Sequence, residues 1–228
     1  MPEYLIPKVC EWLEENKSFL EAVHNLALRE KVELGFAMCE RNGEIFSGAQ
    51  CRGEETCIEI KDCGEGNFIG TFHTHQFLSG IAEPSTLDIL DAYGKDEEFI
   101  CISGTYDEKI VCYHLPNEEF RSLVKNIYGK IEEYNRRARK YNEKIERYEY
   151  VERLPQDLRE EGLRLEQEYK KLKEQLDGIK EIAELEEKTL VEKICETKIH
   201  VKLPIKTIPI RPIPIKPRKV PPPIFKSR

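Results

Sequence analysis

The sequence predicts a mixed α/β sandwich followed by a helical hairpin and a proline-rich tail. Three observations carry that expectation. Over residues 1–116, apolar residues switch between helical and strand periodicity, as they do when helices and strands share one sheet-centred core. From 117 to about 195 the apolar period becomes seven. Over 196–228 the chain turns basic and crowded with proline, which forbids helix and favours extended polyproline II.

Each element has a local reason. Val9, Trp12, Leu13, Phe19, Leu20, Val23 and Leu26 recur at three- and four-residue steps, predicting one amphipathic helix over 8–28. "VELGFAMC" and "GEIFSGAQC" flank Asn42-Gly43, the dipeptide that suits a two-residue hairpin turn. "TCIEIKDC" and "GNFIGTFHTH" read as two more strands. "STLDILDAYG" reads as a short helix stopped at Gly94, a residue suited to the position after a helix end. "EFICISG" and "KIVCYHL" then form a hairpin across "TYDE".

In 117–195, Val124, Ile131, Ala138 and Ile145 repeat every seven residues, and Ile127, Tyr134, Tyr141 and Tyr148 follow three positions later. After Pro155 a second seam pairs Leu165, Leu172 and Ile179 with Tyr169, Leu176 and Ala183. Two such helices predict an antiparallel hairpin, either a spacer or an arm for dimerisation or partner docking.

Composition bounds the function. No run of 18 apolar residues exists, and the first residues turn acidic where an export signal needs an apolar stretch. The expectation is a cytoplasmic protein. The eight cysteines form no CxxC pair, so a zinc ribbon is not expected; mostly free, partly buried thiols are, with one bridge among Cys51, Cys57 and Cys63 as the alternative. Residues 200–228 hold eight prolines, eight Lys or Arg and no acid; subtracting that +8 from the net −7 leaves −15 for the rest. "PIRP" and "PIKP" match the PxxP spacing read by aromatic-lined grooves, so a protein partner for the tail is expected, or a tail lying on the acidic body. Nucleic acid is disfavoured, since aromatic residues for stacking are nearly absent from the basic segment.

The chemistry concentrates in residues 70–94. Side chains two apart on a strand share a face, so His73 and His75 aim at one point while Thr74 points away. Pro84-Ser85 opens the following helix, which carries Asp88 three residues later, on the same face as Ser85. Ser85 with an acid at 88 also has the pattern of a capping box. Two imidazoles and one carboxylate make three nitrogen and oxygen ligands, the number a catalytic zinc takes while leaving a fourth position open.

This arrangement resembles the JAMM, or MPN-plus, zinc metalloproteases, in their prokaryotic and archaeal form. Their signature is an upstream Glu, His-x-His, then Ser, two residues and Asp; here it stands as "ELGFAMC", "GTFHTH" and "PSTLD", and the resemblance spans about residues 15–115. It departs at Gln76, where the family usually has Pro, and in the nine residues rather than seven between His75 and Ser85. The resemblance implies a cytidine-deaminase-like α/β sandwich and Zn2+ held by His73, His75 and Asp88. It also implies hydrolysis of isopeptide or peptide bonds in conjugates of ubiquitin or ubiquitin-like proteins. Glu33, at the start of the first strand with Gly35 close behind, matches the family's catalytic glutamate better than Glu40 or Glu44, which flank the turn and are expected to be solvated. Glu33 would then shuttle the proton and Ser85 would donate to the oxyanion. Two other readings stand beside this one: a non-catalytic scaffold of the same fold, and a zinc hydrolase acting on sulfur-carrier proteins or cysteine-linked conjugates.

Overall fold

The N-terminal segment folds as α1 (Leu5–Glu15) and α2 (Lys17–Glu30) rather than the single helix expected over 8–28. The chain turns at Asn16, with φ −99° and ψ 10°. The Asn16 side-chain amide donates to the Trp12 carbonyl, which also accepts its backbone N–H. A short polar side chain competing for a helix carbonyl is a local reason for the break. The structure is a computed structural model that describes residues 4–53, 62–75, 80–146, 148 and 154–202.

Among the described residues the fold is mixed α/β, with five helices and one six-stranded sheet ordered β2-β1-β3-β4-β5-β6. β1 (Glu33–Arg41) and β2 (Glu44–Gly53) are joined by Asn42-Gly43, both with positive φ, as a tight hairpin turn requires. β3 (Asn67–His75) pairs antiparallel with β1 and parallel with β4 (Phe99–Gly104). A parallel neighbour demands a crossover, and α3 (Thr86–Lys95) supplies it. β5 (Lys109–His114) completes the second hairpin. The strand expected over 56–63 falls mostly outside the described residues.

One face of the sheet buries Phe36, Met38, Phe72, Phe99, Cys101, Ile110 and Cys112 against Leu5, Val9, Trp12, Leu13 and Leu20 of α1 and α2. The opposite face carries His73, which meets Asp88 of α3. This layering leaves one face of β3 for packing and the other for polar groups.

Three expectations are corrected here. α3 ends not at Gly94 but at Asp96, which takes the left-handed conformation with φ 66°. Gly94 serves packing instead: a Cβ there would lie 2.8 Å from the Tyr128 ring. The cysteines are not free thiols. Cys10–Cys195, Cys39–Cys63 and Cys101–Cys112 are disulfides, Cys51 is also disulfide-bonded, and no described cysteine is free. Cys101 and Cys112 are direct partners across β4 and β5, a proximity that spacing along the chain does not reveal. Finally, residues Glu192–Lys198 form β6, an antiparallel edge strand beside β5 that the sequence reading did not anticipate.

The helices of the hairpin are α4 (Glu118–Ile145) and α5 (Gln156–Leu190). The chain divides into two compact units. The first contains the sheet with α1, α2, α3 and the sheet-proximal turns of α4 and α5; residues 130–173 belong to the second. Within the second, Arg137 pairs with Glu168 and Lys144 with Glu161, an antiparallel register. Tyr141 is buried there, whereas Tyr169, expected in the seam, is 51% exposed. Among the described residues no helix is long and apolar enough to cross a membrane. Residues 203–228, which hold nearly all of the basic tail, lie outside the described residues.

Candidate metal centre

His73 and His75 stand at the C-terminal end of β3, one strand period apart, so both rings emerge from one face. Thr74 points away and accepts a hydrogen bond from the Leu34 N–H. Asp88 reaches the same point from the first turn of α3. His73 Nε2 lies 3.0 Å from His75 Nε2 and 3.6 Å from Asp88 Oδ1, and His75 Nε2 lies 3.5 Å from Asp88 Oδ2. A tetrahedral ion with bonds of about 2.0–2.1 Å separates its ligands by roughly 3.3 Å. The three residues are each partly buried, and among the described residues they form the one group of three able to hold a metal ion.

Electrostatics follow from this crowding. Burial disfavours the charged ring of His73 and lowers its pKa to about 4, against the opposing pull of Asp88. Burial also acts on His75, but the hydrogen bond and charge of Asp88, with smaller help from the Ile81 carbonyl and Glu33, carry its pKa above the ordinary value. Burial would raise the Asp88 carboxyl, yet both imidazoles and the bonds from Ser85 hold it well below the usual carboxylate range. A neutral imidazole, a basic imidazole and an ionised carboxylate are the donor set a divalent cation of borderline softness prefers.

Ser85 is the N-cap of α3. Its hydroxyl accepts from the Asp88 N–H at 3.2 Å and donates to Asp88 Oδ2 at 2.7 Å, and its own N–H donates to the same oxygen. The capping box is therefore complete, and it orients the carboxylate ligand.

Glu33 begins β1 and lines a cavity of about 430 Å³ together with His73, Ser85, Leu87, Asp88 and Tyr128. Partial desolvation raises its carboxyl above the ordinary value, with His75 pulling down and Asp88 pushing up. Glu40 lies at the far end of the same strand. It is buried rather than solvated, because its carboxylate accepts from the Gly43 N–H and from the Asn67 side chain, so it serves the turn. Glu44 opens β2 at that same end.

Four residues around the site escaped the sequence reading. Thr105 donates to the His75 carbonyl at 2.9 Å and contacts buried His24. Asp107 and Tyr113 bond to the backbone of Ala82. They come from α2 and from the turn and strand after β4, and nothing in their spacing marks them. No protein-family model matches this sequence, and no curated protein matches it either.

Proposed function

We propose that the protein is a zinc-dependent peptidase or isopeptidase of the JAMM type, acting on conjugates of ubiquitin or ubiquitin-like proteins. One observation carries the reading: two strand imidazoles and a helix carboxylate converge within 3.0–3.6 Å of one another, beside a cavity that also holds the unligated carboxylate of Glu33. The mixed α/β sheet, with α3 crossing from β3 to β4 and placing Asp88 against the strand histidines, supports the reading.

His73, His75 and Asp88 hold the ion in this reading. When bound, zinc polarises a carbonyl and brings the pKa of a water toward about 7. Glu33, with its raised pKa and partial desolvation, takes the proton of the attacking water and delivers it to the leaving amine. Ser85 sets the orientation of Asp88 and, by rotating its hydroxyl, becomes a donor to the developing oxyanion. This reading seats the scissile bond in the cavity lined by Glu33 and the first turn of α3, which has room for an extended peptide segment beside the proposed ion. The partners proposed are ubiquitin-like conjugates as substrate, a protein ligand for the proline-rich tail, and a second copy through the helical arm.

Metal analysis of the purified chain tests the reading. The wild type should carry about one zinc per chain and release a ubiquitin-like protein from a model conjugate. Asp88→Ala should do neither. Full zinc content in Asp88→Ala, or wild-type protein without zinc, would sink it.

A further inference from the structure

Resting on the reading of His73, His75 and Asp88 as a metal centre, we propose that Asp107 and Tyr113 are positioning residues that fix the ring of His75. They do so by clamping the backbone of residues 80–82.

His75 Nδ1 lies 3.1 Å from the Ile81 carbonyl oxygen. Donation from Nδ1–H leaves the Nε2 lone pair free for an ion and fixes the ring plane. That assignment is only as firm as the carbonyl itself, and Ile81 sits in a segment without helix or strand. The segment is held by side chains and backbone from the turn after β4 and from β5. Tyr106 N–H donates to the Gly80 carbonyl at 2.7 Å. The Ala82 N–H lies 3.2 and 3.1 Å from the two carboxylate oxygens of Asp107. The Tyr113 hydroxyl donates to the Ala82 carbonyl at 2.8 Å. Both polar groups of Ala82, after the Ile81 carbonyl, and the carbonyl of Gly80, before it, are thus engaged, and Ala82 itself is fully buried.

Gly104 provides an independent sign that this packing is built. It is the register partner of His75 across β3 and β4. A Cβ at Gly104 would lie 2.1 Å from Asp107 Oδ1, 2.4 Å from the Ala82 nitrogen and 2.6 Å from the Ile81 carbonyl carbon. The strand, the acid and the clamped backbone meet where only glycine fits. Asp107 Oδ2 also stands 3.4 Å from Lys109 Nζ, so the carboxylate is ion-paired as well as bonded to Ala82. Tyr113 is 8% exposed, and burial pushes its hydroxyl pKa up, so it stays a donor across the working pH range.

The test is zinc affinity, measured by competition with a chelator on full-length Asp107→Ala, Tyr113→Phe and Asp107→Asn. Cobalt substitution adds a spectrum sensitive to ligand geometry. Loss of a partner behind a ligating histidine typically costs about 10- to 100-fold in metal affinity. Asp107→Ala and Tyr113→Phe should weaken zinc by that range and change the cobalt spectrum. Asp107→Asn, which keeps an acceptor for the Ala82 N–H, should recover most of the affinity. Glu40→Gln, at the far end of β1, controls for destabilisation and should bind zinc as the wild type does. Tyr113→Phe keeps the ring and its packing, so it remains informative even if Asp107→Ala does not fold. Folded Asp107→Ala or Tyr113→Phe with wild-type zinc affinity and spectrum would overturn the proposal. A wild type whose zinc affinity is indifferent to Asp88→Ala would instead overturn the metal centre itself, and the proposal with it.

Discussion

His73 Nε2 and His75 Nε2 lie 3.0 Å apart, and two bare nitrogen lone pairs at that distance repel. Without an ion, one of the two nitrogens must therefore carry a proton and donate it toward the other. The shifts agree: the His75 pKa is raised whereas that of His73 is lowered to about 4. Below the raised pKa of His75 the metal-free site should carry one proton, on His75, and zinc must displace it. Calorimetry in buffers of different ionisation heat should report a proton release per zinc that rises toward one as pH falls below the raised pKa of His75 and falls toward zero above it. Release near two at neutral pH would contradict the neutral assignment of His73.

Glu33 and Glu40 occupy opposite ends of β1 and should separate cleanly. Glu33→Gln removes a proton carrier but no ligand, so zinc content should persist while turnover falls by roughly 10²-fold or more. Glu40→Gln disturbs a turn in which the carboxylate holds Gly43 and Asn67. It should lower the melting temperature and leave kcat unchanged. Measured zinc, melting temperature and kcat for the two variants decide the assignment, and a loss of turnover in Glu40→Gln alone would reverse it.

His24 should make stability depend on pH. It is fully buried, and desolvation lowers its pKa to about 4 despite the nearby charge of Asp107. The unfolded histidine titrates near 6.5. Above that value neither state binds the proton and stability is insensitive to His24. Between 6.5 and 4 only the unfolded chain is protonated, so stability falls as pH drops, by on the order of 3 kcal/mol in all. Urea unfolding of the wild type and His24→Gln across this window should show a flatter pH dependence for the variant.

Cys10 and Cys195 tie α1 to β6 across 185 positions of sequence. Closing so long a loop restricts the unfolded chain, and removal of a native disulfide typically costs about 2–5 kcal/mol. Cys195→Ser should lower unfolding free energy by that amount under non-reducing conditions. Under strong reductant the wild type should lose at least as much, and equal stability of both proteins without reductant would argue against the bridge.

The tail should be removable without harm to the body, provided the cut respects β6. Truncation near 195 would delete Glu196–Lys198 from the strand beside β5. Residues His200 and Lys202 are also held, by Glu21 and Asn25 of α2. A chain ending at Lys202 should keep its stability and its hydrolysis of a small conjugate, and should lose a tail-dependent partner in a pull-down. A fall in stability of this truncated chain would place the tail on its own acidic body instead.

Features controlled by local chemistry were legible along the chain. Period-two and period-3.6 patterns specify strands and helices one at a time, because each depends on which face a side chain takes. Asn42-Gly43 names its own turn, since few residues accept two consecutive positive φ values. The convergence of His73 and His75 was legible for the same reason: strand geometry alone puts residues two apart on one side. Ser85 and Asp88 were legible as a capping pair because their bonds span three residues.

The tertiary structure alone decided what depends on chain segments far apart. Cys101 meets Cys112, and Cys10 meets Cys195, only because the sheet register and the packing of α1 bring them together. β6 has no strong alternation of its own and becomes a strand by pairing with β5. Gly94 looked like a helix stop, yet the space it leaves is filled by Tyr128 from another helix. The clamp of Asp107 and Tyr113 on Ala82 likewise joins residues 25 and 31 positions apart. Such contacts arise when burial of the shared core fixes the elements against each other, and periodicity within one element contains no record of them.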